Sequence, residues 1–479
     1  MAIPLRRLLA AGALVLASSS AVGAVDWIYL QGPFAQQRLS VRLSELASPQ
    51  ALWQGDSDLA QLNRATGGRY ARAIESLLNA PLPLQQDLDN PMIQQLELLL
   101  QSLVQPGLQP APKADDAPVA AARPVLRQLA VSAEPITLKR VLEALPGEQR
   151  TIRLDQALPL LQRMGAQHAV VDQRLSGLAP MPAAPAQALA AGPQSLERRT
   201  FQLSSGLEVT MVRPTGAPRL PTVVISHGLW DAPRSFLGWA DHLASHGAVV
   251  LLPRHRGSDI DQQAAMLAGQ VPPPEPGEFL RRPEEIKALL DALEAGELPG
   301  AVDAPVREVV LIGHSWGATT ALQLAGARSL PAPLWRACDG VEHSGRNPSW
   351  VLQCSLVQAA TEQSLLDGRL SRVVAVSPPQ ALVFAAGLQD LSMPVLLVSG
   401  SRDLVVPAQP EALEPFRRYP GDRHRLVLAD GGTHFNLPSA AGADGGPLRA
   451  LLLSWVGGQP LPAAAAVSDP AGLPLFDLR

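Results

Sequence analysis

Apolar residues follow different periods in the two halves of the chain. Up to about residue 178 they recur every three or four positions, as on one face of a helix. Such stripes lie within residues 70–78, 92–103, 138–145 and 154–164. The Asn90-Pro91 pair is typical of a helix start and Gly165 of a helix end. The pattern predicts a small all-α domain over residues 25–178.

From residue 196 onward the apolar residues form short runs separated by helical stretches. Residues 200–203 and 207–212 flank Ser204-Ser205-Gly206 and predict a hairpin. Six further runs are apolar nearly throughout, at 222–225, 248–252, 309–312, 373–376, 395–398 and 425–428. Strands covered by helices on both faces have this composition, and parallel strands require such helical crossovers. We therefore predict an eight-stranded, mostly parallel sheet of the α/β class.

An Ala/Pro-rich segment separates the two patterns. Residues 179–195 have no periodicity that could bury a face, so we interpret them as a linker. The α/β domain then spans residues 196–458, and residues 459–479 form a C-terminal tail. Within this domain, one crossover helix is expected to begin near Pro283, because proline is favoured in the first turn of a helix.

The N-terminus has the pattern of a secretory signal. Arg6 and Arg7 precede an apolar run of roughly 10 residues, and Val22-Gly23-Ala24 offers small residues for cleavage. A membrane span needs about 20 apolar residues, so a cleaved signal over residues 1–24 is favoured over an anchor. The mature protein is then expected in a periplasm, a lumen or the extracellular space, with no stable membrane span.

Composition and charge exclude some classes of protein. The chain is 47% hydrophobic and 17% charged, the balance of a folded chain rather than a disordered one. The 39 basic and 43 acidic side chains give a net charge of −4, without a run of five or more like charges. A nucleic-acid partner is therefore disfavoured.

Gly313-His314-Ser315-Trp316-Gly317 matches the G-x-S-x-G pattern of a nucleophile elbow. It follows the predicted strand at 309–312 and opens a helical stretch, the setting in which such an elbow presents its serine. The flanking glycines let strand and helix pass closely without Cβ clashes. We interpret Ser315 as the nucleophile; the alternative is a glycine-flanked serine in an ordinary turn.

A serine nucleophile needs a histidine base and an acid to orient it, which in this arrangement follow in the order serine, acid, histidine. His434 lies in a loop just past the strand at 425–428, whereas His424 begins that strand, so His434 is the predicted base. Asp403 directly follows the strand at 395–398 and is the predicted acid, with Asp430 as its rival. A solvated loop histidine and a turn aspartate are the plainer alternatives.

The oxyanion of an acyl-transfer reaction needs two backbone N–H donors. Trp316, the residue after the nucleophile, supplies one, and Leu229 in Ser226-His227-Gly228-Leu229 is the predicted second. Gly228 allows the backbone to approach the substrate. For His227 a loop-shaping role is favoured over that of a metal ligand or a third donor, because no partner ligands are spaced around it. No metal or organic cofactor is implied.

The order of these motifs resembles the α/β-hydrolase superfamily, near the dienelactone-hydrolase-like group, whose own nucleophile is a cysteine where Ser315 stands. Arg282-Pro283-Glu284-Glu285-Ile286 resembles the corresponding segment of bacterial relatives of platelet-activating factor acetylhydrolase. The N-terminal half, beginning Trp27-Ile28-Tyr29-Leu30, is similar to an uncharacterised helical domain that precedes such hydrolases in photosynthetic bacteria. The resemblance implies the α/β-hydrolase fold for the C-terminal domain.

These observations predict a serine hydrolase that cleaves small or lipid-like carboxylic esters through an acyl-enzyme. A lipase or thioesterase of the same fold, or a non-catalytic exported binding module, are the alternatives. The only two cysteines, Cys338 and Cys354, are expected to form a disulfide outside the cytoplasm, against the alternative of two buried thiols. They lie in residues 329–372, a segment long enough to form a cap that selects the acyl or alcohol group.

Overall fold

The computed structural model describes residues 26–478 except 32–37, 69–70, 72–74, 76–77, 80–103, 107–124, 130–133, 135, 145–148, 301–307, 339–347, 443, 460 and 462–471. The signal sequence predicted for residues 1–24 and the stripe at 92–103 lie outside the described residues. The chain divides into two compact units. One comprises Met1–Leu88 and Glu97–Pro159, and the other Asp89–Leu96 and Leu160–Arg479.

The first unit contains a four-stranded sheet among its described residues, which corrects the all-α prediction. Its strands are β1 (Trp27–Gln31), β2 (Arg38–Arg42), β3 (Val104–Pro106) and β4 (Gln149–Arg153), in the order β2-β1-β4-β3. Strand β1 pairs antiparallel with β2 and parallel with β4. Helices of this unit include α1 (Pro49–Gln54), α2 (Asp58–Ala65) and α3 (Leu138–Ala144), and a 3-10 turn lies at Leu43–Ala47. Ile28 and Val41, facing each other across β1 and β2, are buried in its core.

Helix α4 (Leu154–Ser176) continues past the predicted stop at Gly165. Its later residues Val171 and Leu175 are buried in the apolar core of the second unit. A glycine in mid-helix costs about 1 kcal/mol, whereas burying a large aliphatic side chain contributes about 1.5–3 kcal/mol. Packing therefore outweighs the local signal for termination.

The second unit is built on a mixed, mainly parallel sheet of nine strands among its described residues. In chain order they are β5 (Leu196–Gln202), β6 (Glu208–Pro214), β7 (Val223–Ser226), β8 (Val250–Pro253), β9 (Val309–His314), β10 (Leu370–Val376), β11 (Val395–Gly400), β12 (Arg425–Ala429) and β13 (Leu475–Asp477). The spatial order is β13-β12-β11-β10-β9-β7-β8-β6-β5. All eight predicted strands are present, and β5 and β6 form the predicted hairpin. The ninth, β13, pairs antiparallel with β12 and lies in the predicted tail.

Alternate residues of the central strands enter two separate cores. In β9, Val309 and Leu311 pack on one face of the sheet, and Val310 and Ile312 pack on the other. The helices of this unit, after α4, are α5 (Ala186–Leu189), α6 (Leu237–Ser245), α7 (Ile260–Leu267), α8 (Glu278–Glu294), α9 (Trp316–Leu324), α10 (Pro331–Cys338), α11 (Pro348–Ser355), α12 (Glu414–Phe416) and α13 (Arg449–Val456). The continuous apolar runs in the sequence thus reflect strands that are buried on both faces.

Helix α8 begins at Glu278, five residues before Pro283, so the predicted start at Pro283 is wrong. Proline has no N–H, and in mid-helix it leaves the carbonyl four residues earlier without its helical partner. That carbonyl belongs to Phe279, and the Gln323 side chain of α9 donates to it at 3.1 Å. A side chain from the neighbouring helix therefore makes the proline tolerable inside α8.

The Cys338–Cys354 disulfide is present and joins α10 to α11. The Ala/Pro-rich segment 179–195 contains α5 and packs on α6, where Gly192 N–H donates to Ser245 Oγ at 2.8 Å. Within the described part of the chain, the helices are too short or too polar to cross a bilayer. The disulfide is compatible with an exported protein.

Candidate active site

Ser315 occupies a strained turn between β9 and α9. Its φ is 54° and its ψ is −123°, a conformation that side-chain-bearing residues rarely adopt. A Cβ at Gly313 would lie 2.1 Å from Gly317 O, and one at Gly317 would lie 2.1 Å from Ser226 O. Both glycines are therefore required by the close approach of strand, turn and helix. The geometry is that expected of a nucleophile elbow.

Asp403 and His434 form a buried pair at the same edge of the sheet. His434 Nδ1 lies 2.9 Å from Asp403 Oδ2. Asp403 follows β11 and His434 follows the neighbouring β12, so the parallel strands bring the two loops together. The other carboxylate oxygen of Asp403 accepts the N–H groups of Val405 at 2.9 Å and Val406 at 2.7 Å. These contacts fix the orientation of the carboxylate relative to the imidazole.

The two rival residues are engaged elsewhere. His424 Nδ1 accepts the N–H of Val395 at 3.2 Å at the start of β11, far along the strand from the elbow edge. Asp430 Oδ1 accepts the hydroxyl of Ser401 at 2.9 Å. Both contacts brace neighbouring strands and loops.

His314 lies directly beneath the predicted base. Its Nε2–H donates to His434 O at 3.0 Å, and the two imidazole rings are 4.7 Å apart. Burial, together with the nearby His434, holds the pKa of His314 well below its usual range. His314 is therefore neutral and donates a hydrogen bond to the loop that carries His434.

The loop after β7 runs against the elbow. A Cβ at Gly228 would lie 3.0 Å from Ser315 Cβ, so this residue is the point of closest approach. Trp230 N–H donates to Ser258 O at 2.8 Å, which leaves Leu229 as the loop residue between two anchored neighbours. Within the described chain, the N–H groups of Leu229 and Trp316 have no hydrogen-bond acceptor. Among the described residues, neither N–H group is therefore committed to a backbone partner.

A buried polar network behind this loop was not predicted from the sequence. The guanidinium of Arg282, fully buried in α8, donates to His227 O at 2.7 Å and to Gly228 O at 3.1 Å. Burial lowers the pKa of Arg282 to about 10, so it remains charged at neutral pH. The sequence feature that could have revealed this burial is the position of Arg282, one helical turn before Ile286 on the inward, apolar face of α8.

Two histidines and a carboxylate complete this network. His227 Nε2 accepts the N–H of His255 at 3.1 Å, and His255 Nε2 lies 2.9 Å from Ser226 Oγ. His255 Nδ1 lies 2.5 Å from Glu285 Oε2. Burial raises the pKa of Glu285 to about 7 and holds the pKa values of both histidines well below their usual range. These contacts match the loop-shaping role expected for His227, and His255 shares that role.

Ser315 and His434 line a common cavity of about 410 Å³. Its other walls come from the segment after β7, from the end of β9 and from the loop that carries His434. The lining residues are Gly228, Leu229, Trp230, Asp231, Ser235, His314, Phe435, Pro438 and Ala440. Phe435 is 79% exposed at the rim. The cavity thus has both apolar and hydrogen-bonding walls around the serine.

The predicted cap over residues 329–372 does not line this cavity in the part of the segment that the structure describes. Its apolar residues Leu334 and Leu352 are buried in the core on one face of the sheet instead. Gln353 Oε1 accepts the N–H groups of Leu382 at 2.8 Å and Val383 at 3.1 Å. The segment packs down on the sheet because its apolar side chains find burial there.

Comparison with known proteins gives a partial match. No family model matches the chain. Over 140 residues it is 28% identical to chlorophyllase-1, chloroplastic, of Citrus sinensis. The match covers 28% of this chain and 39% of the chlorophyllase. The chain is thus distantly similar to a chlorophyllase over part of that protein's length, and its large mixed sheet fits an α/β fold.

Proposed function

We propose that this protein is a serine hydrolase of the α/β-hydrolase fold that cleaves carboxylic esters. The observation that carries the proposal is the buried pair of Asp403 and His434, 2.9 Å apart, whose imidazole opens onto the cavity that holds Ser315. The strained elbow at Ser315 supports it, because such a turn is retained where it presents a reactive group.

In the proposed mechanism Ser315 Oγ attacks the ester carbonyl while His434 Nε2 removes its proton. Asp403 holds Nδ1–H and stabilises the imidazolium that forms. The amides of Leu229 and Trp316 bind the oxyanion of the tetrahedral intermediate. His434 then protonates the leaving alcohol, and a water activated by the same histidine hydrolyses the acyl-enzyme.

The proposed substrates are small or lipid-like esters. A cavity of about 410 Å³ is within the usual range for small-molecule sites, and the exposed ring of Phe435 offers apolar contact at its mouth. The likeness to a chlorophyllase supports ester hydrolysis as the reaction class. It does not extend the proposal to that protein's own substrate.

A fluorophosphonate probe tests the nucleophile. We expect the wild-type protein to be labelled and to hydrolyse chromogenic esters, and Ser315→Ala to lose both. Ser377→Ala is the matched control, since Ser377 is also a buried serine with positive φ at the end of a neighbouring strand. Wild-type protein that is neither labelled nor active would favour a non-catalytic binding module. Esters and thioesters of graded acyl length distinguish an esterase from a lipase or thioesterase.

A further inference from the structure

The peptide between Gly228 and Leu229 is held from one side by two donors. Arg282 Nη2 donates to Gly228 O at 3.1 Å. His227 Nδ1 also lies 2.8 Å from the same oxygen. Because His227 Nε2 accepts the N–H of His255, the ring proton resides on Nδ1, and that nitrogen donates to Gly228 O. Two buried side chains therefore converge on one carbonyl.

The orientation of this carbonyl determines that of the next N–H. None of the described peptide bonds is cis, and in a trans peptide the C=O and the following N–H point in opposite directions. With Gly228 O held towards Arg282 and His227, the Leu229 N–H must point away from them. Leu229 itself lines the cavity that contains Ser315.

Arg282 also contacts the segment that carries the second donor. Its guanidinium carbon lies 4.7 Å from the centroid of the Trp316 ring. Its Nε donates to Ser258 Oγ at 2.9 Å, and Ser258 O in turn accepts Trp230 N–H. One cation thus contacts Gly228 on one side of Leu229, Ser258, which anchors Trp230 on the other side, and the ring of the residue that follows Ser315.

We propose that Arg282 and His227 are positioning residues that preorganise the oxyanion hole by fixing the Gly228–Leu229 peptide. The proposal rests on the proposed ester hydrolysis and adds two residues that touch neither substrate nor nucleophile. Preorganised donors stabilise charge that develops in the transition state, so their loss lowers kcat with little effect on substrate binding. Burial keeps His227 neutral, which preserves the tautomer that donates to Gly228 O.

Paired variants test each residue. His227→Leu removes the donor to Gly228 O, whereas His227→Asn keeps an N–H near the Nδ1 position. Arg282→Lys keeps the charge but loses the two-point contact with the His227 and Gly228 carbonyls. Arg281→Lys is the matched control, because Arg281 is the neighbouring arginine and its side chain is 58% exposed.

For each variant we would measure kcat and KM for a chromogenic ester, and the melting temperature. A third measurement is the inhibition constant of an alkylboronic acid, which forms a tetrahedral adduct with a nucleophilic serine. We expect kcat to fall on the order of 10²-fold in His227→Leu and Arg282→Lys, with KM changed by less than about threefold. Boronate binding should weaken in parallel with kcat. His227→Asn should recover a large part of kcat, and Arg281→Lys should behave as wild type.

The outcomes separate this inference from the proposed function. If the variants fold, keep wild-type kcat and bind the boronate normally, the positioning role is wrong while ester hydrolysis stands. A lower melting temperature with an unchanged kcat of the folded fraction would also overturn the positioning role, because both residues would then contribute to stability alone. Wild-type protein without hydrolysis or fluorophosphonate labelling would overturn the proposed function, and this inference with it.

Discussion

Asp403 uses both carboxylate oxygens, one for the loop backbone and one for His434. An asparagine at this position would keep the shape but could present an NH2 group to Nδ1 and favour the wrong tautomer. We therefore predict that Asp403→Asn lowers kcat by about 10³–10⁴-fold. Hydrolysis of a chromogenic ester under saturating conditions measures this effect.

The control is Asp430→Asn, which alters the rival carboxylate beside Ser401. This variant should retain kcat within about threefold, because Asp430 has no contact with His434 in the described structure. A large loss in Asp430→Asn with a small one in Asp403→Asn would transfer the acid role to Asp430.

The burial of His242 on α6 predicts that the stability of the protein depends on pH. Burial, with smaller contributions from His246 and Arg449, lowers the pKa of His242 to about 4 from an ordinary value of 6.5. Between these values the unfolded chain binds a proton that the folded protein does not. The free energy of unfolding therefore falls as the pH drops from about 6.5 to 4, and is retained above this window.

Replacing this imidazole should flatten the pH profile. Between pH 7 and pH 4 the free energy of unfolding should decrease in both proteins. We predict that the decrease is about 1–3 kcal/mol smaller in His242→Gln than in wild type. Urea unfolding at a series of pH values provides the measurement. Parallel profiles for the two proteins would show that His242 does not titrate in this way.

At the residue scale, chain order and strand ends were enough to predict that Asp403 and His434 lie next to each other, as the structure shows. Both directly follow apolar runs, and parallel neighbours bring such ends together at one edge. Arg282 was not predicted as part of the site because a charge on a helix is ordinarily solvated, and its carbonyl partners at His227 and Gly228 lie more than 50 residues away along the chain. Such a contact depends on the tertiary fold.

At the scale of elements, the sequence predicted best where strands are buried on both faces. The central strands have continuous apolar runs, and each was placed within a few residues of its observed bounds. The small sheet of the first unit was missed although β2 reads Arg-Leu-Ser-Val-Arg, the alternation of a half-buried strand. Its strands have three to five residues each, too few for period two to stand out against the neighbouring helical stripes.

The disulfide between α10 and α11 is an element-scale stabiliser. It closes a loop with a sequence separation of 16, for which a crosslink contributes about 3 kcal/mol. We predict that the double change Cys338→Ser and Cys354→Ser lowers the free energy of unfolding by about that amount. Urea unfolding of the variant, with reduced wild type as control, measures the loss.

The double cysteine variant also tests whether residues 329–372 select the substrate, as expected of a cap. Because the described residues of 329–372 do not line the cavity at Ser315, relative rates across chromogenic esters of graded acyl length should remain those of wild type. A changed acyl preference would restore a substrate-selecting role to this segment.

For the whole molecule, the boundary between the two units lies within α4 rather than in the Ala/Pro-rich segment. Val171 and Leu175 belong to the core that also contains β9 and α9, the two elements that flank Ser315. The segment 179–195 adds contacts to α6 through Gly192 and Gln194. The part of the chain that supports the candidate site therefore begins before the predicted linker.

This boundary can be tested with two shortened chains. A chain of residues 160–479 retains Val171, Leu175 and the contacts to α6, so we predict that it folds and keeps ester hydrolysis. A chain of residues 196–479 lacks Val171, Leu175 and the contacts to α6. Burial of these two aliphatic side chains alone contributes about 3–6 kcal/mol to the free energy of unfolding. Urea unfolding midpoints and chromogenic ester hydrolysis should both favour the longer chain. Equal midpoints and activities would place the functional boundary at the Ala/Pro-rich segment, where composition alone suggested it.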